Sequence, residues 1–212
     1  MTLSQVHEEH LATLRSLPVE IDEQGMKVGD TYVMFFAEAE LMSLHANALL
    51  GGMSGAHVLE VGLGLGVFAQ QAAAHRPASY TAIEPHSQVA SMTRRRVLRE
   101  VCDQVTVYLQ PWQLVPPPQA EFDAIMYDTW PPDGLADRDF ETFVRRFAIP
   151  GLKPGGRFSF FSSGPVLSAA RAEIMAKCFT RWEQYRYTMP EHLRPPAWTK
   201  PTREFVVPVA IR

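Results

Sequence analysis

Cysteine is scarce in this chain. It holds two, Cys102 and Cys178, far apart and outside any C-x-x-C pattern, so neither a disulfide framework nor a zinc knuckle is expected and a reducing cytoplasm fits best. An excess of positive charge is missing too. The 20 Lys and Arg stand against 23 Asp and Glu, a formal net charge of -3, and without a basic field nucleic acid is not an expected partner. No apolar run reaches the roughly 18 residues of a membrane span. The opening residues, MTLSQVHEEHLATL, are acidic and polar rather than basic and then apolar, so neither a targeting segment nor a membrane partner is expected. Internal repeats are absent, and no G-x-S-x-G elbow marks a serine hydrolase.

What is present begins with a core of sufficient size: 212 residues, 46% hydrophobic and 20% charged, fit one domain with an N-terminal extension. The stretch Ala56 to Phe68, AHVLEVGLGLGVF, runs a strand-like segment into Gly62, Gly64 and Gly66. A strand emptying into glycines before a helix lets backbone N–H groups approach a nucleotide-type ligand. G-x-G-x-G alone also fits a plain tight turn. The next strand-like run, SYTAI, ends in Glu84, about twenty positions on, where such folds accept from ribose hydroxyls.

The order of elements predicts the architecture. A helix-like opening and a polar stretch, Pro18 to Asp30, precede TYVMFFAEAELMSLHANALLGG, whose apolar residues recur at helical spacing until Gly51-Gly52. Strand and helix patterns then alternate: strand 56–61, helix 65–75, strand 79–84, helix 86–101, strands 104–109 and 122–127, helix 137–149, strand 156–162 and helix 166–178. That alternation predicts an α/β fold with a Rossmann-like, doubly wound, mostly parallel sheet. Two further strands, 181–189 and 203–211, flank a proline-rich loop and predict a closing antiparallel hairpin. Residues 1–52 are taken as a helical extension carrying an acceptor-site helix, and 53–212 as the cofactor-binding domain.

With the glycine loop, Glu84, MYDTWP after the fourth strand and LKPGG, the chain resembles class I S-adenosylmethionine-dependent methyltransferases. VLEVGLGLG, Glu84-Pro85-His86, Trp112, MYDTWP, LKPGG and VMFFAEAELM resemble, in order, segments of guanidinoacetate N-methyltransferase and its arginine N-methyltransferase relatives. The resemblance implies a cytoplasmic enzyme, monomer or homodimer, that uses S-adenosyl-L-methionine and releases S-adenosyl-L-homocysteine. It implies cofactor contacts from Gly62, Leu63, Gly64, Leu65, Gly66 and Val67, from Glu84, Pro85 and His86, from Pro111 and Trp112 beside the adenine, and from Asp128. Met34 and Met42 would line the same pocket, although methionines at helical spacing also serve as core filler.

Methyl transfer from a sulfonium is an in-line displacement, so the protein must align donor and acceptor and leave the acceptor nitrogen a free lone pair. A guanidinium is cationic at neutral pH and its lone pairs are delocalised. Carboxylates on different sides of the planar fork orient it, and one can accept its proton. Asp128 lies at the carboxyl end of a strand, where open α/β sheets bind ligands, and the resemblance places Glu38 opposite it; these two are the expected catalytic pair. As alternatives, Asp128 caps the turn into WPPDG and Glu38 lies on a solvated helix face. The resemblance adds Thr129 and the backbone around Ser163 and Gly164 as substrate contacts.

Departures from the family pattern bear on the acceptor. Where the family has tryptophan before the glutamate, this chain reads Ala37-Glu38-Ala39-Glu40, which removes a bulky wall and adds a carboxylate. Both changes suit an acceptor larger or more cationic than guanidinoacetate, and the expected acceptor stays at the level of a guanidino or amino small molecule, guanidinoacetate-like or arginine-like. Peptide or protein arginine, a nucleic-acid base, and a non-catalytic cofactor-binding role are the alternatives. Arg94, Arg95, Arg96 and Arg99 are expected on a solvated helix face. His7 and His10 have metal-compatible spacing but no further ligands nearby, so a surface helix and no metal are expected.

Overall fold

A computed structural model describes residues 3–212. Its centre is a seven-stranded sheet in the order β6-β5-β4-β7-β8-β10-β9, formed by His57–Val61 (β4), Ser79–Ile83 (β5), Val105–Tyr108 (β6), Phe122–Tyr127 (β7), Leu152–Phe160 (β8), Arg181–Thr188 (β9) and Glu204–Ile211 (β10). Pairings among β4 to β8 are parallel, while β10 inserts antiparallel between β8 and β9. This is the α/β methyltransferase arrangement the element order predicts, terminal hairpin included. Strands buried on both faces need helices on both sides. Ala39–Leu50 (α2), Val67–Ala73 (α3) and Ser87–Thr93 (α4) cover one face, α4 continuing through a π-helical turn at Arg94–Leu98 into Arg99–Val101 (α5). Ala136–Phe143 (α6), its continuation through Ile149–Gly151 (α7), and Ala169–Cys178 (α8) cover the other.

The residues before α2 depart from expectation. Thr31–Phe35 (β3), predicted as the start of a long helix, is a strand, and the polar stretch before it supplies Val19–Ile21 (β1) and Gly25–Val28 (β2). The three form a separate antiparallel sheet. Tertiary pairing overrides the helical periodicity because Met26 and Met34 turn inward against Leu65 and Val89. Helix Gln5–Ser16 (α1) opens the chain, capped by the Ser4 hydroxyl, and buries none of its residues. Among the described residues, no helix is long and apolar enough to cross a membrane.

α2 belongs to the central core: its Met42, Ala46, Leu49 and Leu50 share one cluster with Val58, Phe68 and Met126. Arg157 on β8 donates to the carbonyls of Ala48, at 3.1 Å, and Gly51, at 2.9 Å, capping the helix's negative end. Midway, buried His45 Nδ1 lies 2.7 Å from the Ser159 hydroxyl, which donates to the Pro208 carbonyl at 2.6 Å. Burial drives the His45 pKa down to about 3, so the ring stays neutral. These ties fix α2 on β8 and so fix where its first residues point.

Candidate active site

The carboxyl ends of three adjacent parallel strands carry Gly62, Glu84 and Asp128. Backbone bonds extend each strand by one residue: Gly62 N–H to the Ile83 carbonyl, Glu84 N–H to that of Tyr108, and Asp128 N–H to that of Val61, at 2.9, 3.0 and 2.8 Å. Over this edge lies a cavity of about 580 Å³ whose lining includes Gly62, Gly64, Glu84, Pro85, His86, Pro111, Trp112, Asp128, Thr129 and Ser163, together with Met34 and Phe161. A second space of about 40 Å³ lies against it and is bordered by Met34, Glu38, Met42, Gly62, Val67, Asp128, Phe161 and Lys200.

Two glycines make this geometry possible. Gly62 has φ of +88°, and a Cβ there would stand 1.6 Å from the Asp128 carbonyl oxygen, so only glycine lets the loop pass beneath β7. Gly64 has φ of +49° and would drive a Cβ to 2.4 Å from the Met34 methyl. Its N–H donates to Glu84 Oε2 at 3.1 Å, and His86 N–H donates to Oε1 at 2.8 Å. Each oxygen accepts one backbone N–H and keeps further acceptor capacity, and Glu84 lines the cavity, which suits a partner with two vicinal hydroxyls. Burial raises the Glu84 pKa to about 7, against the pull of those two N–H groups and of Arg15.

Several loop residues lie elsewhere. Leu63 packs between α2 and α3, Leu65 packs on Met26 and Val89, and Gly66 faces Thr93 and Val97. Gly164 uses its carbonyl to accept from Val206 N–H and lines neither space. Trp112 is mostly core: its ring meets Phe143 edge-on at 5.1 Å, and its indole N–H reaches Asp139 at 3.4 Å.

Glu38 is buried, not solvated, with 3% of its surface exposed. Its Oε2 reaches back to the Phe35 N–H at 2.9 Å, and Oε1 pairs with Lys200 Nζ. Asp128 faces the same small space. Burial first, and the neighbouring Glu38 charge second, raise its pKa to about 7, partly offset by Lys200. Glu60, one strand position below Val61, also has its pKa raised well above the usual carboxylate range by burial, despite a 2.6 Å bond from the Tyr80 hydroxyl. The floor of the site is thus crowded with carboxyl groups that a bound cation would relieve. Glu40, the extra carboxylate, turns away and accepts from the Tyr187 hydroxyl at 2.9 Å.

Two buried groups on the cavity wall, both ring nitrogens of His86 and the Thr129 hydroxyl, have no hydrogen-bond partner among the described residues. Such atoms favour a polar ligand. His7 and His10, expected on a free surface, line the cavity from α1: His7 Nε2 lies 3.2 Å from Asp139 Oδ1 and His10 Nε2 lies 2.9 Å from the Trp130 carbonyl. Arg15 donates twice to the Pro85 carbonyl at 3.0 and 2.8 Å. Asp139 also accepts from Tyr127, at 2.7 Å, and Gln113, at 3.0 Å, and was not legible in the sequence, because nothing local marks one helix-face aspartate as buried. No cluster of three or more His, Cys, Asp or Glu able to hold a metal exists among the described residues.

Known proteins share this architecture. The structure of N-methyltransferase NodS from Bradyrhizobium japonicum WM9, in complex with S-adenosyl-L-homocysteine, superposes with a TM-score of 0.65 at 14% identity, covering 99% of each chain. The tRNA (m1A58) methyltransferase TrmI from Aquifex aeolicus does so at 0.55 and 15%, over 95% of this chain and 76% of that one. Such likenesses establish the fold and leave the acceptor open. In sequence, protein arginine N-methyltransferase 2 from Aspergillus oryzae is 33% identical over 134 residues, 61% of this chain and 31% of that protein. Its counterpart from Aspergillus fumigatus is 31% identical over the same length, with 30% of that protein covered. The chain thus spans under a third of the length of these relatives. The family model for guanidinoacetate N-methyltransferase matches residues 21–184, well over half the chain. The chain therefore belongs to the guanidinoacetate N-methyltransferase family of S-adenosylmethionine-dependent methyltransferases.

Proposed function

We propose that this protein transfers a methyl group from S-adenosylmethionine to a guanidino nitrogen of a small molecule, guanidinoacetate-like or arginine-like. One observation carries the reading: Glu38 and Asp128, far apart in sequence, border one small space that abuts the glycine-loop cavity. A planar cation placed there meets a carboxylate on each side.

Bound cofactor supplies an electrophilic methyl on a sulfonium. Gly62 and Gly64 would let the backbone come close to its methionine part, Glu84 would accept from the ribose, and His86, Pro111 and Trp112 would border the adenine. Glu38, held rigidly by the Phe35 N–H, orients the guanidinium. Asp128, with a proton affinity near neutrality, would hold the proton that the guanidinium nitrogen gives up on methylation. Thr129 and Ser163, on the cavity wall, meet the rest of the acceptor.

Residues through Phe35 act as the cover in this reading, α2 being built into the core. α1 lines the cavity yet buries no residue; its ties to the rest of the chain include hydrogen bonds at His7, His10 and Arg15 and the edge-on contact of the His10 ring with Trp130. Such a helix opens at small cost to admit ligands and excludes water when closed.

A second reading, arginine within a peptide, draws on the match to protein arginine methyltransferases. The covering α1 opposes it, since a peptide needs an open groove. Incubation with S-adenosylmethionine and a panel of guanidinoacetate, arginine, agmatine and arginine-containing peptides, read by mass spectrometry, decides. Methylated small guanidines are expected; methylation of peptides alone, or of none, sinks the proposal.

A further inference from the structure

The acceptor space already contains a cation. Lys200 Nζ pairs with Glu38 Oε1, lies 4.3 Å from the Phe161 ring centroid and 5.5 Å from that of Trp198, and borders the same space as Asp128. It is not delivered by accident of a loose loop. Ala197 N–H donates to the Gln24 side chain at 2.9 Å, Trp198 Nε1 to the Thr202 carbonyl at 3.2 Å, and the Trp198 ring packs on Phe35 at 4.9 Å and on Phe205 at 6.1 Å. Trp198 and Ala37 pack on one hydrophobic cluster, which ties the proline-rich loop to the segment that carries Glu38.

We propose that Lys200 is a specificity-determining residue: a tethered competitor for the acceptor's place that admits guanidino compounds and turns away amines. The inference rests on the guanidino reading of Glu38 and Asp128. An alkylammonium acceptor is a point charge like Lys200 and offers Glu38 no contact that Lys200 does not already make. A short tether gives the internal cation an effective concentration in the millimolar range, so a free amine at lower concentration loses. A guanidinium presents five donors in a fixed fork and can engage Glu38 and Asp128 together. It gains a second charge-assisted contact and displaces Lys200, whose side chain is already 19% exposed and has solvent to move into.

The test measures kcat and KM, at saturating S-adenosylmethionine, for two acceptor pairs of matched skeleton: guanidinoacetate with glycine, and arginine with ornithine. Wild type is compared with Lys200→Met, which keeps length and removes charge, and with Lys200→Arg, which makes the internal competitor itself a guanidinium. Lys200→Met should lower the KM of the guanidino acceptor by roughly threefold to tenfold, more than it alters kcat, and raise amine kcat/KM more strongly, so that discrimination falls about tenfold. Lys200→Arg should raise the guanidino KM above wild type. Calorimetry with S-adenosylhomocysteine checks folding of both variants. If Lys200→Met fails to fold, the Lys200→Arg arm decides, and an unchanged or lowered KM there overturns the inference. An unchanged or raised guanidino KM in folded Lys200→Met overturns it as well and makes Lys200 a substrate contact. Where wild type methylates a guanidino compound, such results sink this inference alone. Where wild type methylates neither guanidino compound, the guanidino reading falls and this inference with it.

Discussion

The two halves of the site are built from different material. The half proposed to hold the cofactor is mostly backbone: glycines, strand ends and N–H groups that converge on Glu84. The acceptor half consists of side chains from three remote segments, Glu38 before α2, Asp128 after β7 and Lys200 in the proline-rich loop, 162 positions from its partner Glu38. Backbone geometry tolerates many sequences and serves a ligand common to the superfamily. Side-chain geometry changes with single substitutions, and Ala37, where the sequence departs from the pattern of the family it resembles, lies on this side of the site.

Replacing Asp128 with Asn tests whether the halves are separable. Turnover should fall by about 10²- to 10⁴-fold while S-adenosylhomocysteine affinity stays within about threefold; full activity, or an equal loss of cofactor binding, breaks the division. Gly62→Ala probes the opposite half. Its Cβ would overlap the Asp128 carbonyl oxygen, 1.6 Å away, so destabilisation of about 3 kcal/mol or more is expected in denaturant titration, with both activities lost together. Glu84→Gln is milder. One carboxylate oxygen becomes an NH₂ facing a backbone N–H, and cofactor affinity should drop about tenfold to a hundredfold, read by calorimetry, with the acceptor KM little changed.

Protons give the finest test. Glu84 and Asp128 both have pKa values raised to about 7, from 4.5 and 3.8. The folded chain holds protons that the unfolded chain releases, so ligand-free stability should fall as pH rises from about 4 through 7. Melting curves at pH 5 and 8 check the sign, and Asp128→Asn should flatten the slope. A cationic ligand draws both groups toward their charged form, so binding at pH 7 should release up to about one proton, visible as buffer-dependent heat. Release with S-adenosylhomocysteine, which lacks the sulfonium charge, should be smaller.

The sequence made the sheet and the cofactor edge legible because their signals are local. Alternating strand and helix patterns, three glycines and a strand-end carboxylate lie within short windows. It misled at Thr31–Phe35, where apolar residues continue the spacing of α2 yet pair as a strand with Gly25–Val28. Gly25, where a Cβ would stand 2.0 Å from the Met34 carbonyl oxygen, allows that approach, and no periodicity records it. Residue pattern alone does not separate Glu38 from Glu40, two residues apart on one segment, and only the family resemblance singled out Glu38: one is buried against Lys200 and the other bonds Tyr187 at the surface. Asp139 and Lys200 were invisible for the same reason, and His7, expected on a surface helix, lines the cavity instead.

By itself, then, the sequence determined the α/β order, the terminal hairpin and a nucleotide-type loop, because backbone hydrogen bonding and hydrophobic alternation are properties of neighbouring residues. Tertiary structure alone decided which charges meet over that loop. Those distances are set by how α2 docks on β8 through His45 and Arg157, and by how Trp198 anchors the proline-rich loop. In a buried site the separation of charges governs both proton affinity and the choice of cation, and no stretch of sequence encodes that separation locally.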